Sequence, residues 1–94
     1  MQHLEGVCAD GPYSWKYFGH VTNGMRNGHG MCWTFSRDAA TPMSVYTGEW
    51  AHDVQAGRGV VVFDRGHVYD GEWFDGMYHG QGTYSSPSFD ASKQ

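Results

Sequence analysis

Two stretches of this 94-residue chain superimpose at an offset of 23 residues. Tyr46-Thr-Gly48-Glu49-Trp50 reappears as Tyr69-Asp-Gly71-Glu72-Trp73, and Gly57-Arg-Gly59 as Gly80-Gln-Gly82. A chain with such an internal period folds as stacked copies of one small unit, each covering its apolar side with the next. A weaker third copy lies upstream: Tyr17-Phe-Gly19-His-Val21, then Gly24, then Gly28-His-Gly30. Its offset to the next copy is 29 residues, because additional residues lie between Phe35 and Tyr46.

Within a unit, apolar and small residues alternate with polar ones, the period of a strand. Tyr69, Gly71 and Trp73 fall on one face, Asp70 and Glu72 on the other. Gly76 supplies a turn at positive φ, and Gly80, Gly82 and Tyr84 continue the first face on a second strand. Each unit is therefore a β-hairpin, and since one hairpin is marginal alone, several must stack. The expected fold is all-β: a single-layer antiparallel sheet of stacked hairpins. Gly19, Gly28, Gly30, Gly48, Gly57, Gly59, Gly71, Gly76, Gly80 and Gly82 are structural in this scheme, leaving room for rings of the neighbouring unit to lie flat.

Alternation of Tyr13, Trp15, Tyr17, Gly19 and Val21 extends strand character upstream, with Asp10-Gly11-Pro12 as a turn after a short strand from Leu4 to Cys8. Asp64-Arg65-Gly66-His67 has the composition of a tight connection. Pro87 cannot donate to a central ladder, so the pattern ends near it and the last residues are expected to be loose. The chain divides into capping strands (1–16), a divergent repeat with a long loop (17–45), two further repeats (46–68 and 69–86) and a tail (87–94). A repeat stack without an obvious polar cap suggests a segment of a longer protein.

Composition narrows the function. Aromatic residues make up 16% and charged residues 17%, with 14 glycines, so stability must come from rings packed on bare backbone. The six Lys and Arg residues are scattered and the formal net charge is −4, which excludes the concentrated positive face that nucleic-acid binding needs. Cys8 and Cys32 have no C-x-x-C spacing and are read as reduced thiols. Residues 1–9 lack a basic start followed by an apolar stretch, and the longest apolar run, Val60 to Phe63, is far shorter than the ~20 residues of a membrane span. A cytoplasmic setting is expected.

Tyr-x-Gly-x-Trp, a glycine turn and His-Gly-x-Gly together resemble the MORN repeat. Tyr69 to Tyr84 matches throughout, including Gly76 and His79-Gly80-Gln81-Gly82. Tyr46 to Phe63 has Asp53 in place of the turn glycine and Ala56 in place of the histidine. Tyr17 to Phe35 has Val21 for the tryptophan and Asn27 for the histidine, with Trp33 and Phe35 one place out of parity, which a bulge or a local flip of faces would explain. The resemblance covers residues 17–84 and is specific for fold. It implies repeats that dock a partner or support a neighbouring domain, as in phosphoinositide kinases, membrane-junction proteins, a SET-domain methyltransferase and cytoskeletal scaffolds.

Catalytic and metal readings fare poorly. Glu49 and Glu72 recur because the unit recurs, and lie on the polar face away from any cleft. Six histidines (His3, His20, His29, His52, His67 and His79) show no zinc-ligand spacing, and stacking spreads equivalent positions apart, so no metal or other cofactor is expected. His79 is expected to fix its turn through a ring-nitrogen hydrogen bond to the backbone. Gly28-His-Gly30 lacks the helix and lysine of a phosphate loop, and no nucleophile has an identifiable base. The chain is not expected to be an enzyme.

The aromatic row is the candidate site. Tyr46, Trp50, Phe63, Tyr69, Trp73 and Tyr84 line one face of a sheet that has no second layer, so each ring is expected to stay partly accessible, Trp73 more than Trp50. Exposed aromatic strips mark protein-binding surfaces, and the expected partner is an apolar helix or extended peptide. The alternative is peripheral membrane or phosphoinositide binding. Charge disfavours it, because residues 66–84 carry Asp70, Glu72 and Asp75 and no Lys or Arg. Homo-oligomerisation through sheet edges is a third possibility.

Overall fold

The computed structural model describes residues 1–7, 13–36 and 39–87. Seven strands form one sheet in chain order: β1 (Gln2–Val7), β2 (Ser14–Thr22), β3 (Met25–Phe35), β4 (Ser44–Ala51), β5 (Val54–Phe63), β6 (Val68–Phe74) and β7 (Met77–Ser85). Every neighbouring pair is antiparallel, so the odd-numbered strands all run the same way. The all-β stack of hairpins expected from the period is what forms. β1 is the short strand anticipated before the first repeat. The turn at Asp10-Gly11-Pro12, Cys8 and the tail from residue 88 lie outside the described residues.

Three hairpins, β2–β3, β4–β5 and β6–β7, share one backbone plan. Their turns place Asn23 and Gly24, His52 and Asp53, and Asp75 and Gly76 at positive φ in both central positions. Such a turn matches the right-handed twist of the flanking strands. Asp53, at φ 73°, adopts the conformation that Gly24 and Gly76 take in the other copies. Beyond each turn the second strand bulges at a glycine, Gly28, Gly57 or Gly80, also at positive φ. The ladder shifts register opposite these glycines, between Gly19 and Val21, Gly48 and Trp50, and Gly71 and Glu72.

The glycine pairs explain why the sheet can be one layer thick. Gly19 faces Gly30, Gly48 faces Gly59 and Gly71 faces Gly82 across each hairpin. The Tyr17, Tyr46 or Tyr69 ring of the same hairpin lies over that pair, so a methyl on Gly30, Gly59 or Gly82 would land on the tyrosine. This corrects the expectation that the ring over each pair comes from the adjacent unit. Gly80 has a different reason again: a Cβ there would meet the Glu72 carboxylate on the opposite side, 2.8 Å from Oε1.

Trp33 and Phe35 are displaced by neither a bulge nor a flip. β3 keeps regular pairing there, with Trp33 opposite Lys16 and Phe35 opposite Ser14. Cys32 holds the position on the ring face that Val61 and Tyr84 hold later, so Trp33 belongs to the back of the sheet. It begins a cross-strand apolar row with Val45, Val62 and Val68. The long loop rejoins the sheet before β4: the Met43 N–H donates to the Thr34 carbonyl at 2.7 Å, and the Met43 carbonyl accepts from Asp64 at 2.9 Å.

Candidate binding surface

Six rings form a continuous edge-to-face ladder across the three hairpins. Trp50 stands perpendicular to Tyr17 and Tyr46, with centroids 5.4 and 5.1 Å away. Trp73 stands likewise against Tyr46 and Tyr69, at 5.0 and 5.3 Å, and against Tyr78 at 5.0 Å. The positive edge of one ring meets the negative face of the next, the preferred arrangement for aromatic pairs. Each polar tip is satisfied. The Tyr17, Tyr46 and Tyr69 hydroxyls donate to the carbonyls of His20, Glu49 and Glu72 at 2.7, 2.8 and 2.9 Å. The Trp50 indole N–H donates to the Gly30 carbonyl at 3.2 Å and that of Trp73 to Gly59 at 3.0 Å, in each case clipping a hairpin to the one before it.

These contacts overturn the expectation of exposed rings. Tyr46, Trp50, Tyr69 and Trp73 are all buried; Trp73, at 7% exposure, is scarcely more open than Trp50 at 4%. Tyr69 and Tyr78 stack nearly parallel, and Tyr78 closes over the outer side of Trp73, the cover that a further repeat would otherwise provide. Of the six residues expected to form the site, Phe63 is half-buried and only Tyr84 is exposed. Burial pushes the Tyr46 hydroxyl up, reinforced by the nearby Glu49 charge and against its backbone hydrogen bond. Tyr17 is raised mainly by burial as well. Both shifts favour the protonated hydroxyl, the form that donates these hydrogen bonds.

Two hollows open on this face among the described residues. One, of about 280 Å³, lies between the first two hairpins and is lined by Trp15, Arg26, Tyr46, Trp50, Val54 and Gln55, among others. The other, of about 290 Å³, is lined by Phe63, Asp64, Arg65, His67, Tyr78 and Tyr84. Trp15, Arg26 and Tyr78 were not anticipated as surface residues. The repeat offsets carried a signal: Arg26, Gln55 and Tyr78 are equivalent positions, each the second residue of the second strand of its hairpin.

Arg26 organises the first hollow. Its guanidinium lies between two indoles, 4.0 Å from the Trp15 ring centroid and 4.4 Å from that of Trp50. Arg26 Nε donates to Asp53 Oδ1 at 2.6 Å, one terminal nitrogen donates to the Asp53 carbonyl at 3.0 Å, and the other reaches Cys32 Sγ at 3.5 Å. The Arg26 backbone N–H adds a bond to the same carboxylate at 3.1 Å. Burial alone would raise the Asp53 carboxyl, but the Arg26 hydrogen bonds and charge outweigh it and hold the group below its ordinary value.

The two repeat glutamates have a backbone task. Glu49 Oε2 accepts the Arg58 N–H and Glu72 Oε2 the Gln81 N–H, each at 3.0 Å, covering donors that the bulge turns out of the ladder. His20 does the same in the first hairpin, its Nδ1 accepting from the His29 N–H at 3.3 Å. His79 does not fix its turn by a ring-nitrogen bond. It rests against Phe74, with centroids 5.4 Å apart, because the glutamate already serves the bulge. Among the described residues, no group of three or more His, Cys, Asp or Glu is placed to hold a metal ion, and no helix is long and apolar enough to cross a membrane.

The sequence profile of the MORN repeat matches residues 17–36, 46–68 and 69–91, more than half of the chain. The chain belongs to the MORN-repeat family. MORN repeats are generally non-catalytic and often occur in scaffolding or membrane-associating proteins. The chain is also similar to alsin of Rattus norvegicus, Mus musculus and Homo sapiens, with 33% identity over 79 residues covering 77% of this chain. It spans about 5% of the length of those relatives. The profile's first match starts at Tyr17 and ends after Phe35, so the divergent copy counts as a repeat despite Val21 and Asn27.

Proposed function

We propose that this chain is a non-catalytic protein-interaction module of a cytoplasmic scaffold, taking an apolar helix or extended peptide across its ring-bearing face. The observation that carries this reading is the pair of hollows on that face. Each has walls of ring edges and a polar group within reach, Arg26 and Gln55 in one and His67 and Arg65 in the other. A ligand lying there would contact Trp15, Phe63, Tyr78 and Tyr84. The buried Tyr46, Trp50, Tyr69 and Trp73 support it from below. Interface anchors are typically aromatic or arginine side chains at the edge of such depressions.

Selection of peptides from a displayed library against the folded chain tests the reading. Selected peptides are expected to lose at least tenfold in affinity to Trp15→Ala and Tyr84→Ala, a loss of about 1.4 kcal/mol, and to be unaffected by Trp33→Ala or Val62→Ser on the back. Loss on the back-face variants alone would overturn it. Flotation with acidic vesicles is expected to leave the chain in solution, and salt-sensitive recovery with the lipid would transfer the assignment to a membrane surface.

A further inference from the structure

The two hollows differ in how their cations are held, and the difference bears on what the second one takes. Lys16 is paired with Glu5 at 3.8 Å, Arg26 with Asp53 at 2.6 Å and Arg58 with Asp70 at 3.8 Å. Arg65 lines the second hollow and, among the described residues, has no carboxylate within ion-pair distance, Asp64 beside it included. The guanidinium of the first hollow is thus already neutralised, whereas that of Arg65 keeps its N–H donors for a ligand.

The turn that carries Arg65 is fixed from within. The Gly66 N–H donates to the Phe63 carbonyl at 2.8 Å, the Phe63 N–H to the His67 carbonyl at 2.9 Å, and the Asp64 N–H to the Met43 carbonyl at 2.9 Å. His67 Nδ1 lies 3.2 Å from the Tyr84 hydroxyl. When that hydroxyl donates to Nδ1, the neutral imidazole bears its proton on Nε2, and the imidazolium bears one there too, so His67 adds a second donor to the lining. The remaining walls are rings: half-buried Phe63, and Tyr78 and Tyr84, which are exposed with centroids 6.4 Å apart.

Donors for an anion and rings for an apolar group therefore share one space of about 290 Å³. That is the lower end of the roughly 300–1,000 Å³ of sites that enclose a whole small ligand, and it suits a single residue. An internal Asp or Glu brings a carboxylate without an apolar side chain, while a C-terminal residue carries both on one Cα. Asp64 also lines the hollow and offsets the charge of Arg65, which disfavours the double charge of a phosphate group. Resting on the peptide reading of this face given above, we propose that the second hollow takes the C-terminal residue of the partner. Its apolar side chain lies among Phe63, Tyr78 and Tyr84, and its α-carboxylate is held by Arg65 and His67. Charge-assisted bonds of this kind are strong, and capture of a terminal carboxylate is a recurrent mode of peptide recognition.

The probe is acetyl-Gly-Gly-Phe with a free carboxylate, titrated into the isotope-labelled full chain and compared with the same peptide as its C-terminal amide. The acid should shift the resonances of residues 63–67 and of Tyr84, and the amide should bind about tenfold more weakly. Acetyl-Gly-Phe-Glu-amide, with ring and carboxylate on different residues, should bind as weakly as the amide. Arg65→Gln, which removes no hydrogen bond or ion pair among the described residues, should abolish the preference for the acid and leave the melting temperature unchanged. Inorganic phosphate should not displace the acid. The proposal is overturned if the acid fails to bind, if acid and amide bind alike, if the preference survives Arg65→Gln, or if phosphate or the glutamate peptide matches the acid. It is also overturned if only Phe89→Ala or Asp90→Asn lets the acid in, since the chain's own residues would then be the occupant. Library peptides that bind the ring-bearing face equally well as acids and as amides would remove this assignment alone. Loss of their binding on back-face variants alone would remove the reading beneath it.

Discussion

The boundary between the first and second hairpins and the boundary between the second and third use the same backbone and different side chains. In both, a turn N–H reaches across to the hairpin before it: Asp53 to the Arg26 carbonyl at 2.9 Å, and Gly76 to the Gln55 carbonyl at 3.0 Å. An indole clips each pair. At the first boundary, however, the turn glycine is replaced by Asp53, and the Arg26 position opposite carries a guanidinium that binds it. A left-handed conformation is mildly costly for any residue with a Cβ, though aspartate tolerates it best. The arginine contacts offset that cost and fill the space between Trp15 and Trp50. The backbone and ring contacts therefore constitute the repeat, and the turn position can vary if the facing side chain varies with it.

The largest expected effects fall where the two boundaries are identical. Gly48→Val and Gly71→Val should each destabilise by about 3 kcal/mol or more, at the upper end of overpacking, because the new Cβ lands on the facing glycine backbone. Thermal melting checks this, and unequal losses would mean that the two hairpins are not equivalent. Trp50→Ala and Trp73→Ala should each cost about 3–5 kcal/mol. A much smaller loss for Trp73, with its single outer cover of Tyr78, would break the symmetry assigned to the ladder.

The side-chain difference gives intermediate effects. Arg26→Ala should cost about 2 kcal/mol, combining charge-assisted hydrogen bonds with ring contact and discounted because the Asp53 side chain is 43% exposed. The double substitution Arg26→Gln with Asp53→Gly transplants the second boundary into the first, and should recover to within about 1 kcal/mol of the parent in urea unfolding. If the double variant is no better than Arg26→Ala, the two positions do not compensate each other. The carboxyl of Asp53 is lowered on folding, so its contribution is complete above the ordinary value of 3.8 and is lost as pH falls towards the lowered one. Asp53→Asn should accordingly flatten the acid side of the stability profile. Shortening the loop by replacing residues 37–41 should change stability least, since halving a loop alters closure entropy by only about 0.6 kcal/mol. Met43 must be kept, because its backbone bonds both Thr34 and Asp64.

Much of the fold was legible because strand parity and glycine spacing are local. Tyr, Gly and Trp at alternating places give the faces, and the 23-residue offset gives the stacking. Ring burial was not legible in the same way. A single-layer sheet would expose a flat aromatic row, but edge-to-face packing stands each indole between two tyrosines, so that the rings cover one another without a second layer. The Arg26–Asp53 pair joins residues 27 positions apart and is unique to one boundary. Periodicity could only mark Asp53 as a departure, and it could not say what compensated it. The bulge likewise hid the task of Glu49 and Glu72, since alternation places them on a polar face without showing the backbone N–H groups they cover.

The central claim is that Trp50 and Trp73 hold the hairpins together, leaving recognition to the rings around them. Hydrogen exchange of the four indole N–H groups, followed by nuclear magnetic resonance on the folded chain, measures this most directly. The Trp50 and Trp73 protons should be protected to nearly the level of the slowest backbone amides, while those of Trp15 and Trp33, which donate no hydrogen bond among the described residues, should exchange quickly. Exchange of the Trp73 indole as fast as that of Trp33 would contradict the account.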